Sequence, residues 1–599
     1  MTRRSYARPL VGALLLLAGY LAVAHRYGDF ALPTGADYEA LHRTLGLDRR
    51  LIRDLAPPLL AGAVAKLLLL APASALIAWC LAPLMPGRWL DRGAGLLDRP
   101  RHRAPLAAVT LLLAGLMVFW ALVVLQQQPV YDDEFTYLFE AQTLGSGRLV
   151  APAPPAPECF ENVFIILRDG IWAGKYTSGH PLILALSAAL GWVRLLPILL
   201  ASLVPWLTYL IAVEVHDRRT GLLAAGLFVL SPFFIVLSSS LMNHGTCLFC
   251  LAVFTLGYLR ARARRRWMWG VLAGLALGLA FNIRPQSAVA VGLPFAAWSL
   301  LRLRERGERR ALLAAGLAVV LGFLPGLVYA GYYNHAVTGS WHRFPFMLLE
   351  DPRPPLSAFL GRGPGHTLWT GLGYDLLNVW RLNLALFGWG ASLVPVAVWL
   401  WRDRRTAHDR VWLGVAGVLF AIYAGFPSPG VLELGPRYLA PLLIPLMIWS
   451  ARGLLLLHEL AIGRGWPRAL VPAFVAVSVV LALVTFTREQ ARNLHQITTE
   501  VARPYRFVEA RGLHRAIVLV RAKPPSGWVF GLRNNHPDLD RNDVIYIKLT
   551  GLGPVLALAD ALPDRQVYVL AFDPDHPAAE PELVPFTRDQ LEAIRQTWR

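Results

Sequence analysis

The sequence predicts an all-α polytopic membrane protein of about thirteen transmembrane helices, with in-plane helices in its first large outer loop and a small α/β domain at its carboxyl end. Three observations predict it. A mean hydropathy of +0.46 over 599 residues is too apolar for a soluble chain, and runs long enough to cross roughly 30 Å of hydrocarbon recur through most of it. Lipid offers no partner to backbone N–H and C=O groups, so those runs must be helices. Basic residues crowd into short loops that fall on every second turn of the chain. Only near the end do strand-like runs occur: AIVLV (516–520), VIYIKL (544–549) and VYVLAF (567–572), with a helical LALADAL stretch between the last two.

In order, the candidate spans are 9–24, 58–83, 104–125, 194–213, 221–239, 244–260, 267–283, 285–302, 311–332, 384–401, 411–426, 437–457 and 468–486. The first has the basic and apolar regions of a signal peptide, but it reads as a retained helix because the loop charges then alternate correctly. With the amino terminus cytoplasmic, the basic loops 88–103, 216–220, 260–266, 302–310 and 402–410 all fall on the cytoplasmic side. The net charge of +19 is therefore an orientation signal rather than a nucleic-acid face. The same alternation sends 126–193, the turns at 241–245 and 281–287, the loop 333–383, the turn 427–438 and the tail from about 487 to the outer face of a cell (inner) membrane. The chain divides into extra amino-terminal helices (1–103), a membrane domain (104–486) and an outer α/β domain (487–599). APAPPAPE at 151–158 is a Pro-rich linker. Of four cysteines, Cys247 and Cys250 form a CxxC, but no second pair or histidine set makes it a metal site.

The unusual polar residues fall on the outer segments. VYDDEFTYLFEAQ (130–142) carries Asp132, Asp133 and Glu134 directly after an apolar span. Asp132 could serve as an N-cap, with the next two as first-turn acids. Tyr131, Phe135, Leu138 and Phe139 share one helical face, with Asp133, Glu134, Tyr137 and Glu140 mainly on the other, the pattern of a helix lying in the interface plane. HPLILALSAALGW (180–192) is too short to span and reads as a second in-plane or re-entrant helix. WAGKYTSGHPLILA (172–185) supplies Lys175 and His180, GPRYLAPLLIPL (435–446) supplies Arg437 and Tyr438, and FNIRPQS (281–287) supplies Arg284. LSSSLMNHGT (237–246) adds Asn243 and His244 as accessory candidates. Each has a bland alternative: snorkelling for Lys175 and Arg284, a helix start for His180-Pro181, a cap for His244.

Acids and cations on one membrane rim suit a lipid-linked phosphate whose tail stays in the bilayer while its headgroup reacts outside. Cations would neutralise a phosphate leaving group, and a carboxylate would take a proton from an incoming hydroxyl. The order of these segments resembles the GT-C glycosyltransferases of the protein O-mannosyltransferase and aminoarabinose-transferase type. The resemblance runs over roughly 104–460. It rests on the Asp133-Glu134 pair, GKYTSGHPLILAL, SPFFIVLSSSLMNHG, FNIRPQS, YNHAVTGSWHRFPF (333–346) and GPRYLAPLLIP. It implies hexosyl or pentosyl transfer, with inversion, from a polyprenyl-phosphate sugar to an acceptor hydroxyl on the extracytoplasmic face. Asp133 would be the general base, Asp132 its alternate, and Glu134 a support or sugar contact. Lys175, Arg437 and Tyr438, with His180 and Arg284, would bind the lipid phosphate. Some relatives carry another acid where this chain has Asn243-His244. No cofactor is therefore named, and a divalent metal stays open. The helices before residue 104 are extra to the common core. Glycan, lipid and protein all remain as acceptors, membrane lipids surround the chain, and nucleic acid is not a partner. The alternatives are a transporter or flippase of a lipid-linked sugar, which would put charges near the bilayer midplane, and a scaffold that binds a partner through its tail.

Overall fold

The computed structural model describes residues 4–27, 65–99, 102–162, 164–264, 266–305, 307, 309–349, 366–426, 430, 434–521, 535–548, 551–571 and 580–587, with isolated positions up to 596. Among these, seven helices are long and apolar enough to cross a membrane: Lys66–Leu84, Arg103–Val124, Leu195–Val215, His244–Arg264, Arg309–Thr338, Arg437–Gly463 and Leu470–Ala510. The pair Arg218–Leu230 and Pro232–Ser239, bent by 64°, makes an eighth if it is one span. The beginning of the expected span 58–83 and half of the turn 427–438 (427–429 and 431–433) lie outside the described residues, as do residues 350–365 of the loop 333–383 and Leu549 and Phe572 of the expected strands.

Chain chemistry explains why fewer helices meet that length than the thirteen expected. At 221–239 the break falls on Ser231-Pro232: the Ser231 hydroxyl accepts from Phe234 N at 3.3 Å, and Pro232 opens a new helix. The expected 384–401 span is interrupted between Ala385 and Val394, where Gly388 has φ +65 and the Asn383 amide closes the turn onto Gly390 O and Leu393 N. The 17-residue helix Trp267–Ile283 is short but pressed closely onto Arg309–Thr338. A Cβ on Gly274 would lie 2.1 Å from Val319 O, so this small-residue seam lets two backbones touch. At the other extreme, the last long helix runs unbroken from Leu470 to Ala510, well past the expected end at 486.

Two small sheets flank the bundle. One, not expected, lies in the segment 126–193: β1 (Ala151–Pro152), β2 (Ile165–Arg168) and β3 (Ile171–Gly174), antiparallel in the order β1-β3-β2. Its hairpin turns on Asp169-Gly170, both at positive φ (54 and 77), so the Asp-Gly between IILR and IWAG was a legible turn signal. The other contains the three expected strands, β4 (Ala516–Arg521), β5 (Val544–Lys548) and β6 (Gln566–Ala571), plus an unexpected edge strand β7 (Glu582–Phe586). The order is β5-β4-β6-β7, parallel except for β7, whose Pro585 suits an edge.

Strand alternation gives this second sheet two working faces. Ile517, Leu519, Ile545, Ile547 and Val567 share a core with Phe139, Phe160 and Trp172 of the segment 126–193. Val518, Tyr546 and Leu570 pack on Tyr505 and Val508 of the helix Arg488–Ala510. The carboxyl-terminal unit thus braces the back of the helix Asp132–Gly145 through Phe139. That helix departs from the amphipathic expectation in one respect: protein covers its polar face too, and Asp133, Glu134, Thr136, Tyr137 and Glu140 are all buried.

Candidate active site

The acid-bearing helix begins after Tyr131, which holds the N-cap position in extended conformation, so Asp132 is the first helical residue rather than the cap. Successive side chains diverge by about 100° around a helix, and the three acids consequently meet three environments. Asp132 is half-buried, and its backbone carbonyl accepts from Thr136 Oγ1 at 2.8 Å. Asp133 faces a cluster of phenols and cations: Tyr176 donates to its Oδ1 at 2.6 Å, and Arg437 Nη1 stands 3.5 Å from its Oδ2. Glu134 turns inward, where Oε2 accepts from Val130 N and Oε1 from Leu241 N, both at 2.7 Å. Arg194 lies within electrostatic reach of Glu134 and ties Ser239 O and Gln128 O together at 2.8 and 2.9 Å. Glu134 is therefore a clamp between the acid segment and the 239–241 turn.

The cationic residues converge on Asp133. The Arg284 Nη1 donates to Asn243 Oδ1 at 3.1 Å and its Nη2 to Tyr423 OH at 3.3 Å. Tyr423 stacks on Tyr438 with centroids 4.2 Å apart, and the Arg284 and Arg437 guanidiniums sit 5.8 and 5.6 Å from the Tyr438 ring. Lys175 Nζ lies 3.7 Å over the Phe164 ring and within electrostatic reach of Asp133. The cluster thus unites Asp133, Lys175, Arg284, Arg437, Tyr438 and, through Arg284, Asn243; His244 is in electrostatic reach of both arginines. His180 is engaged elsewhere. Fully buried, it bonds Thr246 Oγ1 at 3.0 Å and Leu241 O at 2.8 Å, which ties its helix to the 241–246 turn and leaves neither ring nitrogen for a ligand.

Sequence reasoning missed several members. Tyr176, the hydrogen-bond donor to Asp133, stood beside Lys175 without a role. Tyr137 packs between Tyr176 and His180, with ring centroids 4.7 and 5.2 Å away. Arg194 could have been found as Arg437 was, as an arginine at the outer end of a span. Glu140 is buried where β3 passes closest, and a Cβ on Gly174 would run into its Oε1 at 2.2 Å.

Electrostatics separates the acids. Burial alone would push the Asp133 carboxyl up, but Arg437, the Tyr176 hydrogen bond and Lys175 together hold it below the usual carboxylate range. For Glu134, burial outweighs Arg194 and the backbone N–H groups and pushes the carboxyl up. Glu140 is pushed well up by burial, against bonds from Tyr333 and the Tyr176 backbone. Asp133 is thus the acid whose ionised form its surroundings favour. Among the described residues, no three His, Cys, Asp or Glu side chains converge in a way that could hold a metal ion; Asp133 faces a guanidinium rather than a second carboxylate.

A helical membrane bundle carrying a carboxylate among buried guanidiniums is a membrane protein with a built polar site. The family model described as dolichyl-phosphate-mannose-protein mannosyltransferase matches residues 179–329. No curated protein matches the chain by sequence. Among solved structures, the chain is similar to ArnT from Cupriavidus metallidurans bound to undecaprenyl phosphate, with a TM-score of 0.50 and 14% identity over 81% of this chain and 99% of that one. A looser likeness, TM-score 0.44 at 13% identity over 79% of this chain and 70% of the other, is to the Archaeoglobus fulgidus oligosaccharyltransferase in the apo form. The chain has the GT-C fold.

Proposed function

We propose that this chain is an integral-membrane glycosyltransferase that moves a sugar from a polyprenyl-phosphate donor to an acceptor hydroxyl on the extracytoplasmic face, with inversion. The observation that carries it is the Asp133 carboxylate, held ionised between Tyr176 and Arg437 in a buried cluster that also contains Arg284 and Lys175. Support comes from the mannosyltransferase family model over 179–329 and from the likeness to an ArnT that binds undecaprenyl phosphate. In this reading the membrane domain is 104–486 and the outer α/β domain 487–599, with the amino terminus cytoplasmic in the inner membrane.

The chemistry follows from the groups present. Arg437, Arg284 and Lys175 hold the lipid phosphate and stabilise the charge that builds on it as the sugar C–O bond breaks. Asp133 accepts the proton of the attacking hydroxyl. Arg437 and Tyr176 blunt its basicity. A phosphate that draws Arg437 away restores that basicity, so donor binding readies the base. Glu134 and His180 keep the frame, Tyr438 backs the guanidiniums, and Asp132 stands at the edge as the alternate base. The test is sugar transfer in reconstituted membranes. Asp133→Asn is expected to lower the rate by about a thousandfold while the protein inserts and binds donor lipid. Wild-type transfer by that variant sinks the assignment, whereas loss only with Asp132→Asn moves the base one residue back.

A further inference from the structure

Most polar groups around the cluster are matched within the protein, and that isolates the few that are not. The Asn243 amide is committed to Arg284 and to Ile283 O. Arg284 gives its Nη atoms to Asn243 and Tyr423, and Arg437 Nη1 is shared by Asp133 and Met242 Sδ. What remains is the Arg437 Nε and both ring nitrogens of His244, none of which has a hydrogen-bond partner. His244 is only 2% exposed. Arg284 and Arg437 both lie within its electrostatic reach, so the surroundings are cationic. It is also the first residue of the 21-residue helix His244–Arg264, whose amino end favours negative charge.

A buried imidazole with no partner, beside two guanidiniums and at a helix amino terminus, is completed by an anion. Resting on the proposed transfer reaction, we infer that His244 is a further ligand of the phosphate: its ring N–H donates to a non-bridging phosphate oxygen alongside Arg437 and Arg284. During transfer the sugar C–O bond breaks and its electron pair stays on the phosphate. The acceptor proton passes to Asp133, and His244 supplies only a hydrogen bond to the charge left on the phosphate. The ligand chemistry is a tetrahedral oxyanion, lipid-borne or free.

The experiment is equilibrium binding of farnesyl phosphate, inorganic phosphate and uncharged farnesol to the purified full chain in detergent, with His244→Leu and His244→Gln. The expected result is a loss of farnesyl phosphate affinity of about tenfold or more with leucine and less than about threefold with glutamine, which keeps an N–H donor, and farnesol unaffected. The same ratio for inorganic phosphate identifies the phosphate alone as the ligand; the ratio for farnesyl phosphate only identifies the lipid-borne form. Wild-type affinity in His244→Leu overturns the inference and leaves the transferase reading standing. A wild-type chain that binds neither phosphate overturns both. Should the leucine variant fail to fold, His244→Glu decides, since an acid is acceptable at a helix start but repels phosphate; unchanged affinity there is equally fatal.

Discussion

Two charged clusters lie along the helix Arg437–Gly463, and they differ in how complete they are. Arg437 marks one end; Arg452 is 452 − 437 = 15 residues further on, roughly 22 Å by helical rise. Around Arg452 the acids Asp403, Asp217 and Asp409 are matched locally, although His408 Nε2, Trp399 Nε1 and Ser450 Oγ have no partner there. Asp403 takes Arg452 Nε at 2.8 Å, and Asp217 caps Thr220 N at 2.8 Å. Asp409 closes a capping box with Thr406 and accepts from Trp449 Nε1 at 2.9 Å and His216 Nε2 at 3.2 Å. Those charges start helices and join basic loops. Around Arg437, the Nε of that arginine and the whole imidazole of His244 are left over. Matched acids hold loops together, whereas an unmatched guanidinium nitrogen and imidazole beside a carboxylate are groups an anion would satisfy. The comparison also explains why charged clusters alone are poor evidence of a site: both ends hold Asp, Arg and His.

The sharpest way to break this contrast is Arg437→Gln. Losing a charged donor to a phosphate is expected to weaken polyprenyl-phosphate binding by about 10- to 100-fold. A second consequence has a definite sign. Arg437 is the strongest influence holding Asp133 down, so its removal raises the Asp133 pKa. The acid limb of kcat/KM, which reports the free enzyme, then moves to higher pH, from below the ordinary Asp value of about 3.9 towards or above it. For the same reason Asp133 contributes stability that is present above that value and lost as pH falls through its depressed folded pKa. Rate profiles from roughly pH 3 to 7 check this; an unmoved limb would mean that Arg437 and Asp133 do not communicate.

Glu134→Gln tests the neighbouring acid, one residue away yet in a different role. Its two oxygens each accept one backbone N–H, and an amide can offer only one acceptor oxygen. The expected cost is about 1–3 kcal/mol of stability, read as a lower melting temperature, with the transfer rate per folded molecule near that of wild type. A rate loss without a stability loss would make Glu134 a substrate contact instead of a clamp.

Much of this was legible in the sequence because it rests on long, periodic or charge-biased patterns. Hydropathy gave the bundle, and the alternating apolar runs gave three of four strands in the carboxyl-terminal sheet. What escaped was short or depended on tertiary contact. β1 has two residues, and β7 contains a proline. Asp133, Glu134, Lys175, Arg284 and Arg437 stood out as ionisable residues beside apolar runs. Tyr176, Tyr423 and Tyr137 did not, since a tyrosine near a membrane boundary is ordinary. Only the family resemblance divided Asp133 from Glu134; the residues alone could not, because that division depends on which way each side chain turns. His180 and His244 show the same limit: both are buried histidines near turns between helices, but only the geometry reveals that one is fully bonded and the other is not.

The smallest expected effect is the most useful control. Arg452→Ala removes the bridge from Asp403 to Asp217, in which Arg452 is 23% exposed. Partial exposure screens that bridge, so the loss should be about 1 kcal/mol of stability. Donor affinity and rate should stay at wild-type values. The two arginines share a helix but no partner and lie much farther apart than the 7–10 Å or so over which substitutions usually couple, so stability changes in Arg437→Gln with Arg452→Ala should add within about 0.5 kcal/mol. Thermal unfolding of the single and double variants measures this. Strong non-additivity, or a donor-affinity loss in Arg452→Ala close to that of Arg437→Gln, would mean that the helix transmits between its two ends. The closed cluster would then belong to the function of the open one.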